Sequence, residues 1–156
     1  MARVNVGVNP RYISDQHLIA ESVEIIMITG GLKHQNFKIK SKIPDIFNLG
    51  TGHINFFKNK ILYLKKRLDE VNKELLRRDF HPSTNINLSE YPIELLNDWK
   101  PDLKSTEIIR KRIIERLLNP KSGVDGKVFH KYCRKSIGPD MNNFIERIKN
   151  SEINFV

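Results

Sequence analysis

His17 and Glu24 stand seven residues apart, two helical turns, so in a helix both side chains lie on one face and can approach the N-terminal segment together. A second constellation lies near the C-terminus, where Lys131, Arg134 and Lys135 are interleaved with Phe129 and Tyr132. Cations beside aromatic rings suit contact with a phosphate backbone and stacking against an opened base. His53 follows Gly50 and Gly52 at a predicted helix start, where exposed amides can hold a phosphate; an ordinary lead-in turn has the same composition. Cys133 lies among positive charges that can lower a thiol pKa, but no His/Asn arrangement around it makes a thiol active site. As the sole cysteine it makes no internal disulfide and no zinc site. Asp45, Asp69 and Glu70 read as solvated, and no carboxylate pair has convincing metal-site spacing.

Helices must position these groups. From Ile54, apolar residues Phe57, Ile61, Leu64, Leu68, Val71 and Leu75 follow at steps of three and four, predicting one core helix of roughly seven turns. Thr51 suits its N-cap, and Arg77 and Arg78 suit its negative end. An earlier helix is predicted from Ser14 or Asp15 to the Gly30-Gly31 stop signal, with Leu18, Ile19, Ile25 and Ile26 on its apolar side. A third starts near Ser105, carries Ile109, Ile113 and Leu117, and ends at Asn119-Pro120. Residues 79–103, with Pro82, Pro92 and Pro101, read as a connection holding at most a short helix around Ile93 to Leu96, with Tyr91 and Trp99 as minor core. Lys121 to Lys127 reads as a flexible loop. The expected class is all-α: a compact single domain of about three main helices, with an N-terminal segment reaching the site and a basic, aromatic C-terminal tail.

A chain of 156 residues with 39% hydrophobic content supplies one ordinary core. No apolar run approaches the roughly 20 residues that span a bilayer, and the N-terminus lacks a signal peptide's apolar stretch, so an intracellular protein with no membrane partner is expected. The net charge of +9 favours a polyanion. Residues 104–135 carry ten Lys or Arg against three acids, a balance of +7, and residues 58–78 carry eight against three, or +5. Residues 79–103 hold one Lys against five acids, a balance of −4, and should face away from that partner.

Three blocks carry a family resemblance. Arg3-Val4-Asn5, followed by Asp15-Gln16-His17-Leu18-Ile19-Ala20-Glu21 and Glu24, resembles the N-terminal signature of the pyrimidine-dimer DNA glycosylases, the phage endonuclease V type. Phe37-Lys38-Ile39, then Leu49 to Phe57 and Leu64-Lys65-Lys66-Arg67, resemble the family's central helix and the approach to it. Phe129-His130-Lys131-Tyr132-Cys133-Arg134-Lys135-Ser136-Ile137 resembles its aromatic, basic tail. These blocks imply a glycosylase-like helical domain over residues 1–137, with 138–156 as a C-terminal extension of unassigned role.

The resemblance implies a DNA-repair glycosylase with AP lyase activity, expected to act as a monomer on double-stranded DNA containing a lesion or abasic site. The nucleophile would be the α-amine of Ala2, exposed when Met1 is removed. An α-amine has a pKa near ~7.7 to 8.0, so a usable fraction is neutral around pH 7, unlike a lysine near ~10.4. It would displace the base from the deoxyribose carbon and form an imine that allows β-elimination, without metal or cofactor. Glu24 would manage the protons. The resemblance further implies DNA contacts from Arg3, Gln16, His17, His53, Lys131, Tyr132, Arg134 and Lys135, and base stacking by Phe129 and His130. The sequence departs from the family where first-helix arginines flank the glutamate: Val23 and Met27 occupy those positions. Arg11, Lys33 and His130 are the first candidates to replace them. A pyrimidine dimer is the expected target, another modified base or a plain abasic site the alternative. The competing classes are a catalytically silent DNA-binding module and a structural or anti-host protein binding another polyanion.

Overall fold

The computed structural model describes residues 3–119 and 130–156. They form five helices, α1 (Asp15–His34), α2 (Gly52–Phe57), α3 (Ile61–Arg77), α4 (Leu103–Leu118) and α5 (Met141–Asn150), and one antiparallel hairpin, β1 (Lys131–Tyr132) with β2 (Lys135–Ser136). The all-α expectation holds, with differences in layout.

Ser14 caps α1 by accepting the His17 amide at 3.4 Å. The helix runs through Gly30 and Gly31 to His34, because burial of Leu32 offsets the roughly 1 kcal/mol that each internal glycine costs. Left-handed Asn36 and Phe37 then turn the chain away. The long stripe beginning at Ile54 is divided between α2 and α3. Lys60 leaves helical geometry to bridge Leu96, and its ammonium group is held by the Phe56 carbonyl at 2.8 Å. Periodicity survives this break because Phe57 and Ile61 are both fully buried on either side of it. Thr51 makes no side-chain cap bond. Asp102 begins α4 through a reciprocal capping box with Ser105. The connection before it contains short 3-10 turns at Leu88–Glu90 and Ile93–Leu95. Trp99 joins a ring cluster with Phe47, Phe56 and Tyr63, and buried Tyr91 donates to the Thr29 carbonyl.

The N-terminal segment threads through the centre of this assembly. Val4, Val6 and Val8 are fully buried. Gly7 has φ +76°, and a Cβ there would lie 1.9 Å from the Thr106 hydroxyl, so both backbone shape and space require glycine. The Asn5 amide and side-chain nitrogen donate to the Glu21 carboxylate at 3.0 and 2.9 Å. Arg67, itself fully buried, clasps both oxygens of Glu21 at 2.6 and 3.1 Å and donates to the backbone oxygens of Val8 and Val156 at 2.9 Å each. His53 closes the other side: its Nε2 accepts the Val4 amide at 3.1 Å, which places the proton on Nδ1, 3.0 Å from the Asn48 carbonyl. α5 packs on α4 and on the 3-10 turn Pro10–Tyr12, while Asn154 bridges Gly7.

Two outcomes follow. Replacing Arg67 by Met leaves the Glu21 charge buried without its partner, and should lower unfolding free energy by about 3 to 5 kcal/mol in chemical denaturation; a loss under about 1 kcal/mol would show that the clasp does not hold the segment. Burial lowers the His53 pKa to about 4, against the ordinary 6.5. The folded state therefore resists protonating this ring, and the stability it contributes is intact above about pH 6.5 and is lost as pH falls toward 4. That amounts to about 3 kcal/mol, and NMR should find the ring titrating near pH 4 rather than 6.5.

Candidate active site

Glu24 lies on the face of α1 turned toward the interior and is 3% exposed. Its Oε1 has no hydrogen-bond partner among the described residues. Burial raises its pKa, and the positive charges of Arg3 and Arg112 act in the opposite direction. A buried carboxyl group with an unused oxygen, close to two guanidinium groups, is suited to exchanging a proton with a bound molecule.

The N-terminal segment, α1 and α4 form a groove whose walls include Arg3 and Arg112, the two guanidinium groups that act on Glu24, but not Glu24 itself. Arg3 is oriented by two hydrogen bonds to the Leu49 carbonyl, at 3.1 and 2.9 Å. Two adjoining hollows, of about 580 and 300 Å3, share Arg3, Arg112 and Arg116 in their walls. Leu49, Glu115 and Asn119 complete the larger, and Asn5, Gln16, His17 and Ala20 the smaller. Arg112 has its pKa lowered to about 10 by burial and by the charges of Arg116 and Arg3. Guanidinium groups packed this closely repel one another, and a polyanion entering the groove would relieve that repulsion.

His17 joins the groove as a neutral base. Burial and the neighbouring His130, Arg112 and Arg116 lower its pKa to about 3, and its Nδ1 has no partner among the described residues. The His130 ring lies 4.8 Å from that of His17, its Nε2 3.2 Å from the Arg116 carbonyl and its Nδ1 3.5 Å from the Ser14 hydroxyl. His130 is therefore a buried bracket between α1, α4 and the tail, and its ring is covered rather than offered for base stacking. His53 needs the same correction. At 1% exposure, with both nitrogens engaged internally, it braces Val4 and has no atom left for a phosphate.

The tail hairpin divides its residues between roles. Its turn, Cys133 and Arg134, has positive φ at both positions, 48° and 66°, as a tight two-residue hairpin requires. Both turn amides donate to the Asp15 carboxylate, at 3.0 and 2.7 Å, which offsets the cost of the left-handed backbone. Arg134 donates to the Arg78 and Asp79 carbonyls and stacks on Phe80, so its exposed guanidinium clips the hairpin to the end of α3. Tyr132 is half-buried, with Arg78 stacked on its ring and its hydroxyl accepting from Arg77. Lys131 and Lys135 are exposed. The Lys131 amide donates to the Gln16 side chain at 2.9 Å, which ties the hairpin to the groove wall. Ala2, Phe129 and the predicted loop at Lys121 to Lys127 lie outside the described residues.

Arg112 and Arg116 went unnamed in the sequence reading, although they stand four residues apart on one face of α4 within the most basic segment. Of the expected replacements for the missing first-helix arginines, Lys33 is ion-paired with Glu90, His130 is buried and Arg11 lines a different cleft. Val23 and Met27 are 51% and 62% exposed. The second basic segment is largely spent inside the protein: Arg67 and Arg78 are buried in ion pairs, and Lys65, Lys66 and Arg77 pair with Asp69, Asp98 and Glu74. No group of three or more potential metal ligands occurs among the described residues, and none of their helices is long and apolar enough to cross a membrane. A family model for pyrimidine dimer DNA glycosylases matches residues 1–88, more than half of the chain and the part that supplies Arg3, His17, Glu24 and the Glu21–Arg67 clasp, and the protein belongs to that family.

Proposed function

We propose that this DNA-repair glycosylase also acts as an AP lyase, with the α-amine of Ala2 as nucleophile and Glu24 as the proton-handling group. The observation that carries this reading is Glu24 itself: buried, with an unused oxygen and a raised pKa, beside Arg3 and Arg112. The neutral amine attacks the deoxyribose carbon bearing the damaged base, forming a C–N bond as the C–N bond to the base breaks. Loss of a proton and opening of the sugar give an imine, which acidifies the adjacent C–H. Removal of that proton expels the 3′ phosphate. Glu24 is suited to steadying the positive charge that develops on the sugar while deprotonated, and to moving protons in the later steps. Arg112 and Arg116 would hold flanking phosphates, with Lys131 and Lys135 continuing that contact.

A pyrimidine dimer is the family's namesake target and the proposed substrate. The exposed apolar side chains at Val23 and Met27 favour a second reading, a different modified base, because two cations that read the lesion in the family are absent from their places.

Borohydride trapping on abasic duplex DNA should give a covalent adduct, and acetylation of the N-terminus should abolish it. Glu24→Gln should bind DNA normally yet slow single-turnover excision by about two orders of magnitude or more. Full-rate excision by that variant, or trapping by acetylated protein, would remove the assignment; no adduct with active-site DNA of any kind would favour the silent binding module. Running dimer and abasic duplexes side by side separates reading from chemistry, and abasic DNA should be cut faster.

Arg112→Gln combined with Arg116→Gln should weaken binding to every duplex and reduce the slope of log K against log salt by about 2. An unchanged slope would show that these arginines do not meet phosphates.

A further inference from the structure

A second cleft, which shares no lining residue with the groove, has a volume of about 350 Å3. Three elements build it: the Pro10–Tyr12 turn, the hairpin and α5. Arg11, Lys135 and Arg147 supply one cation each from these three elements, and none makes an ion pair among the described residues. This contrasts with α3, whose half-buried Lys65 and exposed Lys66 and Arg77 are all paired. The single carboxylate on the cleft wall, Asp140, leaves a local balance of +2.

Three aromatic residues, Tyr12, Tyr132 and Phe144, line the cleft beside Ser136, Ile137 and Asn143. Tyr12 is half-buried on one side, and Phe144 is nearly covered beneath. Tyr132 is fixed in place by three contacts: the Arg78 guanidinium 4.0 Å from its ring centre, the edge of Phe144 at 6.0 Å and the Arg77 donor at its hydroxyl. Such a ring is preorganised, so a planar ligand laid against the cleft would immobilise little that is not already fixed. A flat apolar wall below converging cations matches a base carrying a phosphate. The hairpin is shared, since its first strand is bonded to Gln16 in the groove and its residues Tyr132 and Lys135 face the cleft.

We infer that the cleft between the Pro10–Tyr12 turn, the hairpin and α5 is a nucleotide-binding subsite, which takes one phosphate and its base from a strand flanking the lesion. The inference rests on the DNA-glycosylase reading for the source of the nucleotide, while the chemistry of the cleft stands apart from it. A free nucleotide offers the same chemistry, and the experiment distinguishes the two.

The full chain is titrated with deoxyadenosine monophosphate, with inorganic phosphate, and with short and long abasic duplexes, using amide NMR shifts and equilibrium binding. The nucleotide should shift the amides of Tyr12 and Asn143 and bind more tightly than inorganic phosphate. Arg11→Gln with Arg147→Gln, both at exposed positions, should weaken nucleotide binding about tenfold or more and should remove the affinity that the long duplex gains over the short one. Tyr12→Leu should weaken the nucleotide but not phosphate. Loss of the duplex gain in the double variant supports the flanking strand as source; loss of nucleotide binding alone supports a free nucleotide. Equal binding of nucleotide and phosphate, or indifference of both nucleotide and duplex binding to the double variant, overturns the subsite. Imine trapping at saturating short duplex serves as the separate check. A wild-type protein that traps nothing defeats the lyase reading, while the nucleotide titration still decides the cleft.

Discussion

The buried ion pair of Glu21 and Arg67 is the constraint around which the molecule is organised. A charged pair taken out of water gives little net stability unless its remaining hydrogen-bonding capacity is used, and here it is. Glu21 spends its oxygens on Arg67 and on both nitrogens of Asn5; Arg67 spends its other nitrogen on Val8 and Val156. One pair therefore ties together the first helix, the third helix, the N-terminal segment and the end of the described chain. Because hydrogen bonds are directional, it fixes the segment's register as well as its location, which three buried valines alone would not. The proposed nucleophile at the chain end would need that end held, and termini are ordinarily the loosest part of a fold.

The same logic separates the cations by their work. Arg67, Arg78 and Arg134 find carboxylates or carbonyls within the protein and hold helices and hairpin together. Arg112 and Arg116 line the groove together with Arg3, where burial and mutual repulsion depress the Arg112 pKa. Residue type does not distinguish these groups, and neither does local charge density: the 58–78 segment reads as strongly basic yet spends most of its charge internally. What distinguishes them is the long-range partner. Glu21 lies 46 residues before Arg67, and Asp15 lies 63 before Arg78.

That distinction marks how far the sequence could be read. The mostly helical class, the capping Ser14 and the core stripe from Phe57 to Leu75 are written in local pattern, and they appear in the fold. The break at Lys60 was hidden because a short irregular turn preserves the three-and-four spacing when both flanking residues are buried. α5 was missed because its apolar stripe is only Phe144, Ile145 and Ile148, too brief to separate from an irregular tail without knowing what it covers. His53 and His130 were read as ligand contacts from their neighbours in sequence. Their actual partners, the Val4 amide and the Arg116 carbonyl, come from elsewhere in the chain.

Glu24 and His17 show how one helix can serve two electrostatic purposes. His17 lines the groove and Glu24 is buried under the influence of the same Arg112; burial pushes both toward the neutral form, raising the carboxyl and lowering the imidazole. The cations nearby then act in opposite senses, favouring ionised Glu24 and disfavouring protonated His17. His17 is thus held neutral by every influence on it, so it can accept or donate a hydrogen bond without adding charge beside the arginines. Glu24 is balanced between influences, and small changes in its surroundings move its proton.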